Sequence, residues 1–335
     1  MSSKHGTHTP VAHALLVLGL ALCLVTVTAA ATLAETARVQ PARAQARAGA
    51  VAQAGAPPPA PPLSCVAASP RRRPLAARMT RDISAALQGR VSVVGLTVAD
   101  TRTGITCKWH PWWPFYSASV VKVIILGALL HELMVQHLAL TPEQVTLTTQ
   151  MITRSSNSAA TTLWNEVGMQ NLQSFLDLAR MSHTKLGQDG FWGLTRVVAH
   201  DELLLLRVLT VKNAVLDKPS RAYALKLMAE VIPAQRWGVP AGAPTSVKVH
   251  VKNGWLPYPQ LWIINSIGAF TSHDRIYRIV VLTRNNPTMA YGVDTVQAVA
   301  QVINHDFNLG VTAVIPPSAP YPSWGTPDEQ IPALR

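Results

Sequence analysis

The chain has 335 residues and a formal net charge of +12, with Lys and Arg outnumbering Asp and Glu by 29 to 17. Residues 1–73 hold seven basic residues and one acidic one, which accounts for half of the excess; the rest is scattered singly, with no basic stripe and no interleaved aromatics. That distribution excludes a nucleic-acid-binding face and fits work beside an anionic envelope, on a chain long enough for one sizeable domain with extensions at both ends.

In chain order, residues 14–31 come first as an almost uncharged apolar stretch ending in Ala29-Ala30-Ala31, a small-residue cleavage signature. Residues 1–31 therefore read as an export signal, which places the chain outside the cell or in its envelope. The stretch is also long enough to span a bilayer, so an uncleaved signal that anchors the chain through residues 14–31 is the alternative. Residues 32–74 are rich in Ala, Pro and Arg, with "GAPPPAPP" at 55–62, and read as a stiff spacer that cannot bury a core. Within it Arg71-Arg72-Arg73 reads as a solvated run. Cys23 falls in the export segment, leaving Cys65 and Cys107 as a lone pair. In an oxidising compartment they form either a disulfide or two thiols. A bridge would close a loop of about 43 residues, worth roughly 4 kcal/mol in chain entropy.

The ordered domain is expected over 75–308. Residues 75–87 have helical spacing; "VSVVGLTVAD" (91–100) and "ITCKWH" (105–110) read as strands joined by a tight turn at Thr101–Gly104. Helical patterns then dominate to about residue 232, including 119–137, 141–153, 157–167, 169–180 and 200–210. Strands return at "VKVHVKNG" (247–254), "WIINSIGAF" (262–270) and "YRIVVLTR" (277–284), and a helix closes the domain over 289–305. Strands at both ends of a helical insert predict one antiparallel sheet covered by the terminal helices, with a cleft between sheet and helical part. Residues 309–335 form a Pro-rich tail.

Three short motifs stand in this frame. "SVVK" puts Ser119 and Lys122 at i and i+3 on one helix face, the lysine near the positive helix end. A neutral lysine there takes a hydroxyl proton, and the Ser119 N–H helps to hold an oxyanion. The plain alternative is a capping serine and a lysine that reaches solvent. The motif is also cheap, since "SHTK" at Ser182–Lys185 repeats it in a loop with no helix to align the pair. "SSN" at Ser155–Asn157 lies at a helix junction, where capping would explain it. "KNG" at Lys252–Gly254 ends a strand, where a lysine fixes a carboxylate and a glycine admits a ligand to the strand edge, or where an ordinary turn begins.

In this order the three motifs resemble the penicillin-recognising serine hydrolases, and the surrounding sequence is most similar to class A β-lactamases. Phe115 four before the serine, "MITRSSNSAATTLWNEVG", and "NSIGAF" followed by "RIVVLTRN" carry the resemblance over roughly residues 75–306. It implies an α/β β-lactamase-like fold: an antiparallel five-stranded sheet flanked by terminal helices, plus an all-helical subdomain. It further implies Ser119 as acylated nucleophile, Lys122 as its base or relay, and Ser155 as proton shuttle to the leaving nitrogen. Asn157 would bind the substrate amide, Lys252 the carboxylate, and the N–H groups of Trp255 and Ser119 the oxyanion, with Asn253 and Gly254 as further substrate-binding positions. The ligand would be a β-lactam or a peptidoglycan stem peptide. No cofactor is expected, the histidines show no metal-ligand spacing, and the chain is expected to be a monomer.

The sequence departs from that family in the loop that should carry a glutamate for deacylation. Residues 187–196 read "GQDGFWGLTR", Trp192 is followed by glycine, and Asp189 is the loop's carboxylate. Asp189 is either a substitute base or a turn aspartate. Glu166 belongs to a helix and does not serve. Ser156 and Asn253 replace the aspartate and threonine of the second and third motifs. Efficient acylation with slow deacylation is the expectation, with a stem-peptide carboxypeptidase or esterase, or a non-catalytic binding module, as alternatives. Trp112, Trp113, Trp192 and Trp255 are candidates for an aromatic cleft rim, with core packing the alternative for at least two of them.

Overall fold

A computed structural model describes residues 62–318; residues 1–31, read as an export signal, most of the segment read as spacer and the end of the tail lie outside the described residues. The sheet is antiparallel and has six strands in the order β1-β3-β2-β8-β7-β6. They are β1 (Ser64–Ala67), β2 (Val93–Asp100), β3 (Ile105–Trp109), β6 (Lys248–Tyr258), β7 (Leu261–Thr271) and β8 (Ile276–Asn286). A separate two-stranded ladder joins β4 (Pro114–Tyr116) to β5 (Arg196–Val198).

The sixth strand corrects the expected five. β1 comes from the segment read as spacer, and helix α1 (Arg73–Leu87) begins two residues before the expected start at 75. Four residues flanked by prolines carry no periodic signal; what makes them a strand is long-range pairing with β3. Cys65 lies opposite Cys107 in that ladder, and the two form a disulfide across 42 positions of sequence. The tail is likewise docked at its start: Gly242 N–H donates to Ile315 O and Ile315 N–H to Ala243 O, both at 2.8 Å.

Two apolar cores flank the sheet. On one face α1 buries Ala76, Met79, Ile83 and Leu87 at helical spacing beside α7 (Met289–Phe307). On the other lie α2 (Val121–Val135), α3 (Pro142–Thr153), α4 (Asn157–Leu178), α5 (Ala199–Thr210) and α6 (Lys218–Ala229). Every residue of α2 from Val121 to Leu130 is buried, as a helix apolar on all sides must be. Gly168, at φ 74°, bends α4 where the sequence divides it into two helices.

The first turn of α5 holds a buried carboxyl that the core does not match. Both oxygens of Glu202 are buried without a hydrogen-bond partner among the described residues. Burial, and then neighbouring Asp201, push its pKa well above the usual carboxylate range. The folded state thus holds this proton more tightly than the unfolded one. As pH rises above the ordinary glutamate value the unfolded chain ionises first, so stability falls with pH until the folded-state pKa is passed. Glu202→Leu is expected to stabilise the fold by about 1–3 kcal/mol at pH 7, with a larger gain at pH 8 than at pH 5, measured by denaturant unfolding.

Candidate active site

Ser119 stands where a strand is turned abruptly into a helix. β4 ends at Tyr116, Ala118 takes a left-handed φ of 46°, and residues 118–120 form one 3-10 turn ahead of α2. A non-glycine residue at such a φ is strained, and it persists because its surroundings fix it. Ser117 N–H donates to Thr195 O at 2.8 Å. Fully buried Asn265 of β7 donates through Nδ2 to the carbonyls of Tyr116 at 2.8 Å and Ser117 at 3.1 Å. Ser119 itself is half-buried in the wall of a cleft of about 820 Å³.

Lys122 lies one helical turn on and is fully buried. Its Nζ donates to Ser155 O at 2.6 Å, Asn157 Oδ1 at 2.7 Å and Ser155 Oγ at 3.2 Å. Lys252 of β6 reaches the same hydroxyl, its Nζ 2.9 Å from Ser155 Oγ and 2.8 Å from Asn253 O. Ser155, at φ 58°, is held between α3 and α4. With two amines directed at its oxygen lone pairs, its O–H proton is left for a third partner. Neighbouring Ser156 is a helix cap, its Oγ accepting from Ala159 N at 3.2 Å. Lys122, Ser155, Asn157 and Lys252 therefore meet, although they come from three separate segments, and Ser119, one helical turn before Lys122, lines the cleft with Asn157.

Burial lowers the pKa of Lys252 to about 7. A carboxylate needs the protonated amine, whose population falls as pH rises through 7. Affinity for a carboxylate-bearing ligand is thus expected to drop by about tenfold per pH unit above that point, measured by titration between pH 6 and 9 and flattened in Lys252→Arg.

The rest of the third motif divides. A side chain at Gly254 would come within 2.8 Å of Ser117 O and Ser119 N, so only glycine lets β6 lie against the nucleophile turn. This brings Trp255, also in the cleft wall, beside Ser119. Asn253 is a correction. Its Nδ2 donates to the carbonyls of Gln235 at 2.8 Å and Trp237 at 2.9 Å, tying β6 to that loop instead of facing a ligand. Side chains alternate along a strand, and Lys252 turned toward Ser155 sends Asn253 to the other face.

The loop after α4 places Asp189, exposed and at φ 54°, in the outer cleft wall. Trp192 is 8% exposed, donates through Nε1 to Thr161 Oγ1 at 3.1 Å, and holds its ring 4.8 Å from Lys122 Nζ. An aromatic face thus lies against the buried amine. Trp192 and Trp255 line the cleft, whereas Trp112 and Trp113 do not: they are exposed and pack against histidines, Trp113 stacked on His110 at 3.7 Å and Trp112 tilted against His200 at 4.2 Å. The second SxxK has no such setting, because Ser182 is exposed and its hydroxyl meets His183 Nδ1 at 3.2 Å. Glu166 is exposed on α4 and accepts from Gln144 Nε2 at 2.6 Å.

Sequence reasoning passed over Asn265 and Thr161. A signal for the first was present: an amide inside the apolar run "WIINSIGAF" must find partners when buried. Thr161 offered none, since its role depends on where the following loop returns.

The Beta-lactamase enzyme family model matches residues 143–307, a span that holds Ser155, Asn157 and Lys252 but begins after Ser119 and Lys122. No curated protein sequence matches the chain. Among solved structures, a β-lactamase from Sphaerobacter thermophilus DSM 20745 is 17% identical over 68% of this chain and 96% of its own, with a TM-score of 0.60. A class A β-lactamase representative from Bacteroides cellulosilyticus DSM 14838 is 16% identical over 69% of this chain and 98% of its own, at 0.61. PBP-A is 15% identical over 69% of this chain and 96% of its own, also at 0.61. At such identities the likeness is one of fold.

Proposed function

We propose that the chain, whose residues 143–307 match the Beta-lactamase enzyme family model and whose fold is like that of class A β-lactamases, opens β-lactam amides by acylation of Ser119 and releases the resulting ester slowly. The observation that carries this reading is the Ser155 hydroxyl held between Lys252 and Lys122, the latter one helical turn from Ser119. In its neutral form, which donates two hydrogen bonds and keeps a lone pair, Lys122 takes the proton of Ser119 Oγ as that oxygen attacks the lactam carbonyl carbon. The N–H groups of Ser119 and Trp255 receive the oxyanion. Ser155 passes its own proton to the leaving nitrogen as the ring C–N bond breaks and regains one from Lys122, which thereby gives up the proton it took from Ser119, while Asn157 binds the substrate amide and Lys252 the carboxylate. A variant of PBP-A with one substitution is known as an acyl-enzyme complex with penicillin G, which supports acylation on this fold.

Slow release follows from what lines the cleft. Hydrolysis of the ester needs a base for water, and the carboxylate among the described lining residues is Asp189, exposed on the outer wall. The position against Lys122 is filled by the Trp192 ring. The same observation favours a second reading, a carboxypeptidase or esterase acting on peptidoglycan stem peptides, and leaves a non-catalytic wall-binding module as the third. Export belongs to the proposal: residues 1–31 lie outside the described residues, and the Cys65–Cys107 disulfide supports folding in an oxidising compartment.

The test is a chromogenic cephalosporin added to the purified chain, with turnover followed and Ser119 examined by intact mass. A stoichiometric adduct absent from Ser119→Ala, with little turnover, is expected. Neither adduct nor turnover would remove the β-lactam reading, and D-alanine release from a stem-peptide mimic would then select the second.

A further inference from the structure

A second cavity, of about 380 Å³, lies behind the nucleophile turn and is lined by Tyr116, Arg196, Tyr258, Trp262 and Arg284. A small apolar cluster of Ala118, Leu256 and Ile263, with Tyr116 and Leu194 packed on it, forms the partition between this cavity and the cleft that holds Ser119.

The chain is built irregularly at this point. Between the pairs Trp262–Asn286 and Ile264–Thr283 the β7–β8 ladder slips, so that Arg284 and Asn285 together face Ile263. Asn285 takes a φ of 61°. Such a bulge re-aims a side chain. Here it lays the Arg284 guanidinium over the Phe115 ring, 5.5 Å from the centroid, with Nε buried and unpartnered among the described residues. Arg196, exposed on β5, faces Tyr116 across the β4–β5 ladder. Among the described residues, neither arginine has a carboxylate within ion-pair distance. The Tyr116 and Tyr258 rings stand 5.3 Å apart and, with Trp262, give the cavity aromatic walls.

Two guanidiniums without a carboxylate partner on one cavity wall suit an anion, and a planar fork suits a carboxylate in bidentate contact. Aromatic walls add nothing for a small inorganic ion but stack on a flat body that carries the charge. We infer that this cavity is a second ligand site, distinct from the Ser119 cleft, that takes a carboxylate borne on an aromatic or similarly flat ring.

The test is a ligand-observed NMR titration of the full chain with benzoate, acetate and inorganic phosphate. Benzoate is expected to bind about threefold to tenfold more tightly than acetate, and Arg196→Gln and Arg284→Gln each to weaken it by about tenfold or more. Arg196 is exposed, so its variant decides the matter even where Arg284→Gln fails to fold. Ser119→Ala leaves benzoate binding unchanged, which separates this site from any acylation. Phosphate binding more tightly than benzoate, or benzoate binding that is lost in Lys252→Ala and kept in both arginine variants, would overturn the inference.

Discussion

Lys122→Ala is expected to slow acylation of Ser119 by about 10²–10⁴-fold, read as the rate at which the β-lactam adduct accumulates by intact mass. Lys122 is the buried amine one helical turn from Ser119, fixed by the Ser155 carbonyl and Asn157 Oδ1. Its loss removes the proton acceptor and also leaves those oxygens without their donor, a structural cost of about 1–3 kcal/mol. Lys122→Arg separates the two effects. A guanidinium keeps the positive charge and donates hydrogen bonds, yet it does not deprotonate in proteins. If proton transfer is the lysine's role, arginine slows acylation as severely as alanine while restoring much of the lost melting temperature. Acylation in Lys122→Arg within about tenfold of the parent chain would instead assign Lys122 to holding Ser155 and Asn157 in place.

The sequence carried the parts of this site that depend on local periodicity. Ser119 and Lys122 are tied by a helical i, i+3 step, and the structure keeps them one turn apart across the 3-10 to α transition. Ser155 and Lys252 were legible only through the order of motifs, since it is the sheet and the α3–α4 junction that bring residues 97 positions apart to 2.9 Å. Asn253 shows the opposite limit. Its identity suited a ligand contact, but strand alternation and the carbonyls of the 235–237 loop claimed it. β1 was hidden because a four-residue strand among prolines exists through its partner and its disulfide, neither of which has a local pattern. The bulge at Arg284–Asn285 was hidden for a related reason: a slip in register is a property of two strands together, so "VVLTRNN" reads as an unbroken strand.

The loop around Trp192 is where the two steps of the proposed reaction part. Acylation draws on Lys122, Ser155 and Lys252, all in place, whereas deacylation needs a water and a base on the side that Trp192 fills. Trp192→Glu is therefore expected to raise the deacylation rate by about 10²-fold or more, turning a stoichiometric burst into sustained cephalosporin turnover. The smaller side chain opens room for a water and sets a carboxylate close to Lys122, where it can accept that water's proton. Losing the indole costs packing and the bond to Thr161, about 3–5 kcal/mol by the usual scale for a large buried aromatic, so the melting temperature is read alongside the rate. Trp192→Phe is the control. It keeps an aromatic face near Lys122 and supplies no base, so its acyl-enzyme should persist. Equal acceleration in the phenylalanine variant would show that the indole slows deacylation by excluding water alone, and no acceleration in the glutamate variant would place the block elsewhere in the cleft.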